Sequence, residues 1–190
     1  MRKPVYFMKY KNKIKYTAVM SMMLALITVL SALEHMMPAF PFMPPHVKIG
    51  LSNIVTMYTL FFLGKKEAFV LAGLKSSFIF VTRGFIAGLL SLGGGVCSLL
   101  FILLAAVIFR SRVSYTMLSI TGALTHNLAQ LVIVSLINQT NIWFYYLPVL
   151  MVSAVFMGSV TGYLLKVVMP AFDAVFERNK NNISDSREND

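Results

Sequence analysis

What most constrains this chain is the spacing of its charges. Charged side chains gather at the two ends and in short turns, and between them run apolar stretches of roughly 17 to 25 residues, enough to cross a hydrocarbon layer of about 30 Å. Of 190 residues, 57% are hydrophobic and 13% are charged. A water-soluble domain of this size does not hide so large an apolar share. The sequence therefore predicts an all-α integral membrane protein, a six-transmembrane-helix bundle.

Taken in order, residues 1–15 carry Arg2, Lys3, Lys9, Lys11, Lys13 and Lys15 and no acid. They lead into a first helix over 16–33, too long for a signal-peptide core and without a clear small-x-small cleavage site. Pro38, Pro41, Pro44 and Pro45 then forbid a continuous helix, which makes that stretch a loop or re-entrant cap. Short helices are predicted over 49–63 and 67–82, with Gly64, Lys65 and Lys66 as a basic turn between them. Gly88, Gly93, Gly94 and Gly95 make the fourth span, up to Phe109, either broken or tightly packed. The fifth runs over 115–137, an uncharged NQTN turn follows, and the sixth covers 143–169. The membrane domain is thus 16–169, and 170–190 reads as a polar, disordered tail.

Six spans place both termini on one face. Fourteen of the seventeen Lys and Arg then lie on that face, which the positive-inside bias makes cytoplasmic. The net charge of +10 is explained by topology and anionic headgroups, so nucleic acid is not an expected partner. Cys97 is the single cysteine; it excludes an internal disulfide and reads as a small apolar residue.

Topology leaves three cations unexplained: Lys48, Lys75 and Arg83. Lys75 falls about 12 Å into the third helix at 1.5 Å per residue, where a charge persists only if it faces protein, water or an anion. Two readings stand for it, a ligand contact or a structural pair with Glu34. Lys48 and Arg83 lie at the outer boundary, where flanking cations are common, yet with His46 they would meet an anion entering from outside. His126 and Gln130 share a helix face, with Asn127 beside them; this set, like Asn53, suits either interhelical hydrogen bonding or a polar ligand. Ala18, Ser21, Ala25 and Ala32 form a small-residue stripe on the first helix, for packing within the fold or for docking a partner membrane protein.

Chemistry of other kinds finds no footing. The histidines have no metal-ligand spacing, no G-x-S-x-G elbow occurs, and no GK[ST] follows the triple glycine. The chain is expected to bind no cofactor and to draw any energy from partner chains.

The ordered blocks ALEHMMPAFPFMPPHVKIGLSNIVTMYTLFFLGKKEAF, SLGGGVCSLL, GALTHNLAQL and YYLPVLMVSAVFMGSVTG resemble the family called both heptaprenyl diphosphate synthase component I and Gx transporter. That family is similar to the S components of energy-coupling factor transporters, six-helix substrate-binding proteins of the bacterial plasma membrane. The resemblance implies matched positions at Glu34, Lys48, Gly50, Leu51, Asn53, Ser91, Gly93, Gly94, Ser98, His126, Asn127, Gln130 and Pro148, with Lys75 where relatives carry arginine. It implies a pocket for a small, anionic vitamin, flavin or quinone- or isoprenoid-related molecule, which together with the charge reading above would be lined by Glu34, Lys48, Asn53, Lys75, Arg83, His126, Asn127 and Gln130. It also implies docking of a transmembrane T component through Ala18, Ser21 and Ala25, with two cytoplasmic ATPases. The family's enzymatic name implies instead an accessory role beside a soluble prenyl diphosphate synthase in menaquinone formation. Prenyl transfer needs aspartate clusters to hold magnesium, and Asp173, Asp185 and Asp190 are the only aspartates. By itself the chain is not expected to be an enzyme.

Overall fold

The computed structural model describes residues 13–36, 51–109, 114–139 and 147–167. They form six helices and, among the described residues, no strand. These are α1 (Lys13–Met36), α2 (Leu51–Phe62), α3 (Lys65–Arg83), α4 (Phe85–Phe109), α5 (Tyr115–Asn138) and α6 (Leu147–Val167). The basic lead before Lys13, the proline-rich segment with His46 and Lys48, and the tail from 168 onward lie outside the described residues.

Among the described residues four helices are long and apolar enough to cross a membrane: Tyr16–Met36, Phe85–Phe109, Tyr115–Asn138 and Leu147–Val167. The expected six spans are matched in helix number, but α2 is short and α3 carries Lys65, Lys66, Glu67, Lys75 and Arg83. Exposure follows an apolar solvent. Phe85, Val107, Ile108, Phe156 and Tyr163 face outward, whereas Ser52, Thr59, Ser119 and Thr161 are buried. A water-soluble helical domain would sort these side chains the other way.

Helices α1, α2 and α3 pack mutually, and α4 lies between α3 and α5. Two glycines set the joints. Gly84 alone links α3 to α4, at φ 90°, and its N–H donates to the Phe80 carbonyl at 3.0 Å. Gly64 precedes α3 at φ 140°, a conformation that side chains resist. Lys65 and Lys66, expected in a turn, are instead the first residues of α3. Two cations at a helix N-terminus oppose its dipole, and Glu67 in the same turn offsets them. The triple glycine does not break α4, which runs unbroken through it. Of the two expectations for that span, tight packing is the one realised.

Backbone contact without side chains joins α5 to α6. A Cβ on Gly158 would stand 2.7 Å from Ile120 Cα, and one on Gly162 would stand 2.6 Å from Thr116 Cα. Neither neighbour is a flexible tip that can yield. Gly162→Ala should therefore destabilise the protein by about 1–3 kcal/mol, read as a lower melting temperature in detergent. Gly73, with nothing within 4 Å of its Cβ position, is the internal control: Gly73→Ala should raise stability by about 0.5–1 kcal/mol.

Candidate functional site

A cavity of about 630 Å³ lies inside the bundle and is lined by residues of all six helices. Its polar groups concentrate toward the Arg83 end, where α1, α3 and α5 finish and α2, α4 and α6 begin.

The centre of that end is the start of α2. The first N–H groups of a helix have no partner within it and carry partial positive charge. Here Glu34, near the end of α1, meets them: its carboxylate accepts from the Ser52 backbone N–H at 3.2 Å and from the Ser52 hydroxyl at 3.1 Å. Ser52 Oγ in turn accepts from Lys75 Nζ at 2.8 Å, and Asn53 Oδ1 accepts from the same ammonium at 2.9 Å. A buried acid and an intrahelical lysine are thus joined through one hydroxyl. Of the two readings for Lys75, the pair with Glu34 is realised in this bridged form, while Lys75 still lines the cavity.

Arg83 is held differently. One guanidinium nitrogen donates to the Ser31 carbonyl of α1 at 2.7 Å, which swings the head back over the cavity that it also lines. A guanidinium has five N–H donors, so most of its capacity remains for a further acceptor. Lys75 is occupied by two side chains of α2, which makes Arg83 the better placed cation for an incoming anion.

The α5 set lines the wall formed with α4 and α6. His126, Asn127 and Gln130 all face the cavity. Asn127 donates to the Leu150 carbonyl of α6 at 3.5 Å, a long bond. The His126 ring lies against α4 where a Cβ on Gly94 would stand 2.7 Å from Cε1. Gly94 is therefore the residue that admits the imidazole, which gives the triple glycine a site-forming role as well as a packing one. Ser76 of α3 and Ser91 of α4 bring their hydroxyls within 3.3 Å beside the same space.

Seven of the eight predicted binding residues thus line one cavity: Glu34, Asn53, Lys75, Arg83, His126, Asn127 and Gln130. Lys48 lies outside the described residues. Ser52, Ser31, Ser119 and Thr161 also line it and were not singled out from sequence. Ser52 carried a signal, a hydroxyl in the first turn after a proline-rich segment. Ala18, Ser21 and Ala25 do not pack inside the fold; all three lie exposed on α1, flanked by exposed Met22, Leu26 and Val29. Among the described residues no group of three or more His, Cys, Asp or Glu could hold a metal ion.

The heptaprenyl diphosphate synthase component I family model matches residues 23–168, about three quarters of the chain. The chain belongs to this family. The match begins within α1 and ends just past α6, so it takes in every cavity-lining residue. No curated protein and no solved structure matches the chain. Membership agrees with a membrane protein that is not itself an enzyme.

If the Lys75–Ser52–Glu34 chain holds α1, α2 and α3 together, Lys75→Met should lower stability by about 2 kcal/mol, because it leaves the buried Glu34 carboxylate without a cation. Adding Glu34→Gln to that variant should recover part of the loss. Thermal unfolding of the three variants checks this; an additive double variant would mean that the residues act independently.

Proposed function

We propose that this chain is a non-catalytic membrane subunit that works with a soluble prenyl diphosphate synthase, and that its cavity holds a small molecule bearing an anionic group. The family match supports the first half of this reading. The observation that carries the second is the cavity of about 630 Å³, in the range of small-molecule sites, with Arg83 and Lys75 on one wall and Asn127 and Gln130 among the residues of another. An apolar bundle excludes polar groups unless something makes use of them. On this reading all six helices are membrane-embedded, both termini are cytoplasmic, and the Arg83 end faces out of a bacterial cell. Ligand occupancy would then be sensed across the bilayer by the synthase on the cytoplasmic side.

A second reading is favoured by the exposure of Ala18, Ser21 and Ala25 on α1. Small residues let another helix approach closely, as a transmembrane T component would. The chain would then be an S-component-like capture subunit of an ATP-driven uptake system with two cytoplasmic ATPases.

Purification of the tagged chain from its native membrane in mild detergent, with mass spectrometry of co-purified proteins, separates the two. The first reading expects a soluble, aspartate-rich synthase. A T component with ATPases and no synthase would overturn it in favour of the second. Ser21→Leu with Ala25→Leu should abolish recovery of a T component, whereas recovery of a synthase should persist.

A further inference from the structure

Hydroxyls buried in helices commonly satisfy themselves by donating to the carbonyl one turn back. This chain does so at Thr56, Thr59, Ser76, Thr121 and Thr125. Ser98, Ser119 and Thr161 depart from that habit. All three line the cavity, and none hydrogen-bonds another group among the described residues. Ser119 is only 2% exposed, and its Oγ is buried without a partner.

They come from three helices and converge. Ser98 Oγ of α4 lies 3.0 Å from the Cβ position of Gly122, which is one turn along α5 from Ser119. The Cβ of Ser119 lies 3.2 Å from that of Gly162, the neighbour of Thr161 on α6. This hydroxyl pole sits far from the charged one. Ser91, which meets Ser76 of α3, precedes Ser98 on α4 by a rise of about 10 Å, and Ala87, near the Arg83 joint, precedes it by about 16 Å. Leu99, Leu131 and Met157 are among the lining residues. The cavity therefore has two unlike poles, and the wall between them carries apolar side chains such as Met157 beside the polar His126 and Asn127.

Charge narrows the occupant further. The described lining carries Lys75, Arg83 and Glu34, a balance of one positive charge. A diphosphate brings up to about three negative charges and is ordinarily held through magnesium on several carboxylate oxygens. No such carboxylate cluster exists among the described residues.

We infer that the cavity takes an elongated amphipathic monoanion, its single negative charge at Arg83 and a neutral hydroxyl or carbonyl group at Ser98, Ser119 and Thr161, rather than a prenyl diphosphate. This rests on the reading that the cavity is a binding site.

The test is calorimetric titration of the full chain in lipid nanodiscs, with empty nanodiscs as blank. The probes are 12-hydroxydodecanoate, dodecanoate, 1,12-dodecanediol and farnesyl diphosphate. The expected order places 12-hydroxydodecanoate first, with dodecanoate and the diol each about tenfold or more weaker, the scale of one lost hydrogen bond or charge contact. Ser98→Ala with Ser119→Ala and Thr161→Val should erase the preference for 12-hydroxydodecanoate over dodecanoate. Arg83→Gln should erase the preference for acid over diol. Equal binding of the two acids to the native chain, or tightest binding of farnesyl diphosphate, overturns the inference and leaves the binding reading intact. Heat from none of the four, over blank, overturns the binding reading and the inference with it.

Discussion

A helix that begins inside an apolar bundle has to find acceptors for its first N–H groups, and at α2 that demand is met by the carboxylate of Glu34. Much of the rest follows from this contact. A buried carboxylate needs a cation or several donors, and Lys75 reaches it through the Ser52 hydroxyl. The lysine in turn needs acceptors, and Asn53 supplies the second. Four polar residues from three helices thus satisfy one another, and the cavity opens beside them with its charge already arranged. Capping, helix packing and the electrostatics of the site are here one set of hydrogen bonds.

The opposite wall is built on different grounds. Between α4 and α5, and between α5 and α6, the sequence places glycine where a neighbour must come close: Gly94 under the His126 ring, Gly158 and Gly162 against the α5 backbone. Close approach of this kind replaces the hydrophobic effect, which has little force between helices already surrounded by apolar chains.

Much of this was legible in the residues. Apolar run length and the helix breakers located the bundle: α4 ends at Phe109 and α5 starts at Tyr115, as read from the sequence. Polar residues stranded in apolar surroundings marked Asn53, Lys75, His126, Asn127 and Gln130, and all of them line the cavity. Ser52 was legible only as a hydroxyl at the start of a helix, because its importance depends on which distant carboxylate meets it. Glu34 was read from the residues as a partner for Lys75, and its place among the pocket residues came from family resemblance. The direction faced by Ala18, Ser21 and Ala25 also escaped, since small residues pack equally well inward or outward and α1 is apolar on all sides. Lys65 and Lys66 were misplaced because basic residues beside glycine look like a turn, whereas Glu67 lets the helix begin with them.

The single-residue joint at Gly84 bears on how the molecule moves. With one residue between them, a ring contact between Phe80 and Phe85 at 5.8 Å, and the Cβ position of Gly88 only 2.9 Å from Phe80 Cα, α3 and α4 have no slack in which to slide or splay. They form a stiff hairpin, and Lys75 and Gly94 ride on it together. On one flank the post is tied to α1 and α2 through Lys75, Ser52 and Glu34, and on the other α4 packs along α5. The hairpin thus fixes the distance between the ammonium of Lys75 and the seat that Gly94 makes for the His126 ring, so two walls of the cavity are spaced by one glycine joint.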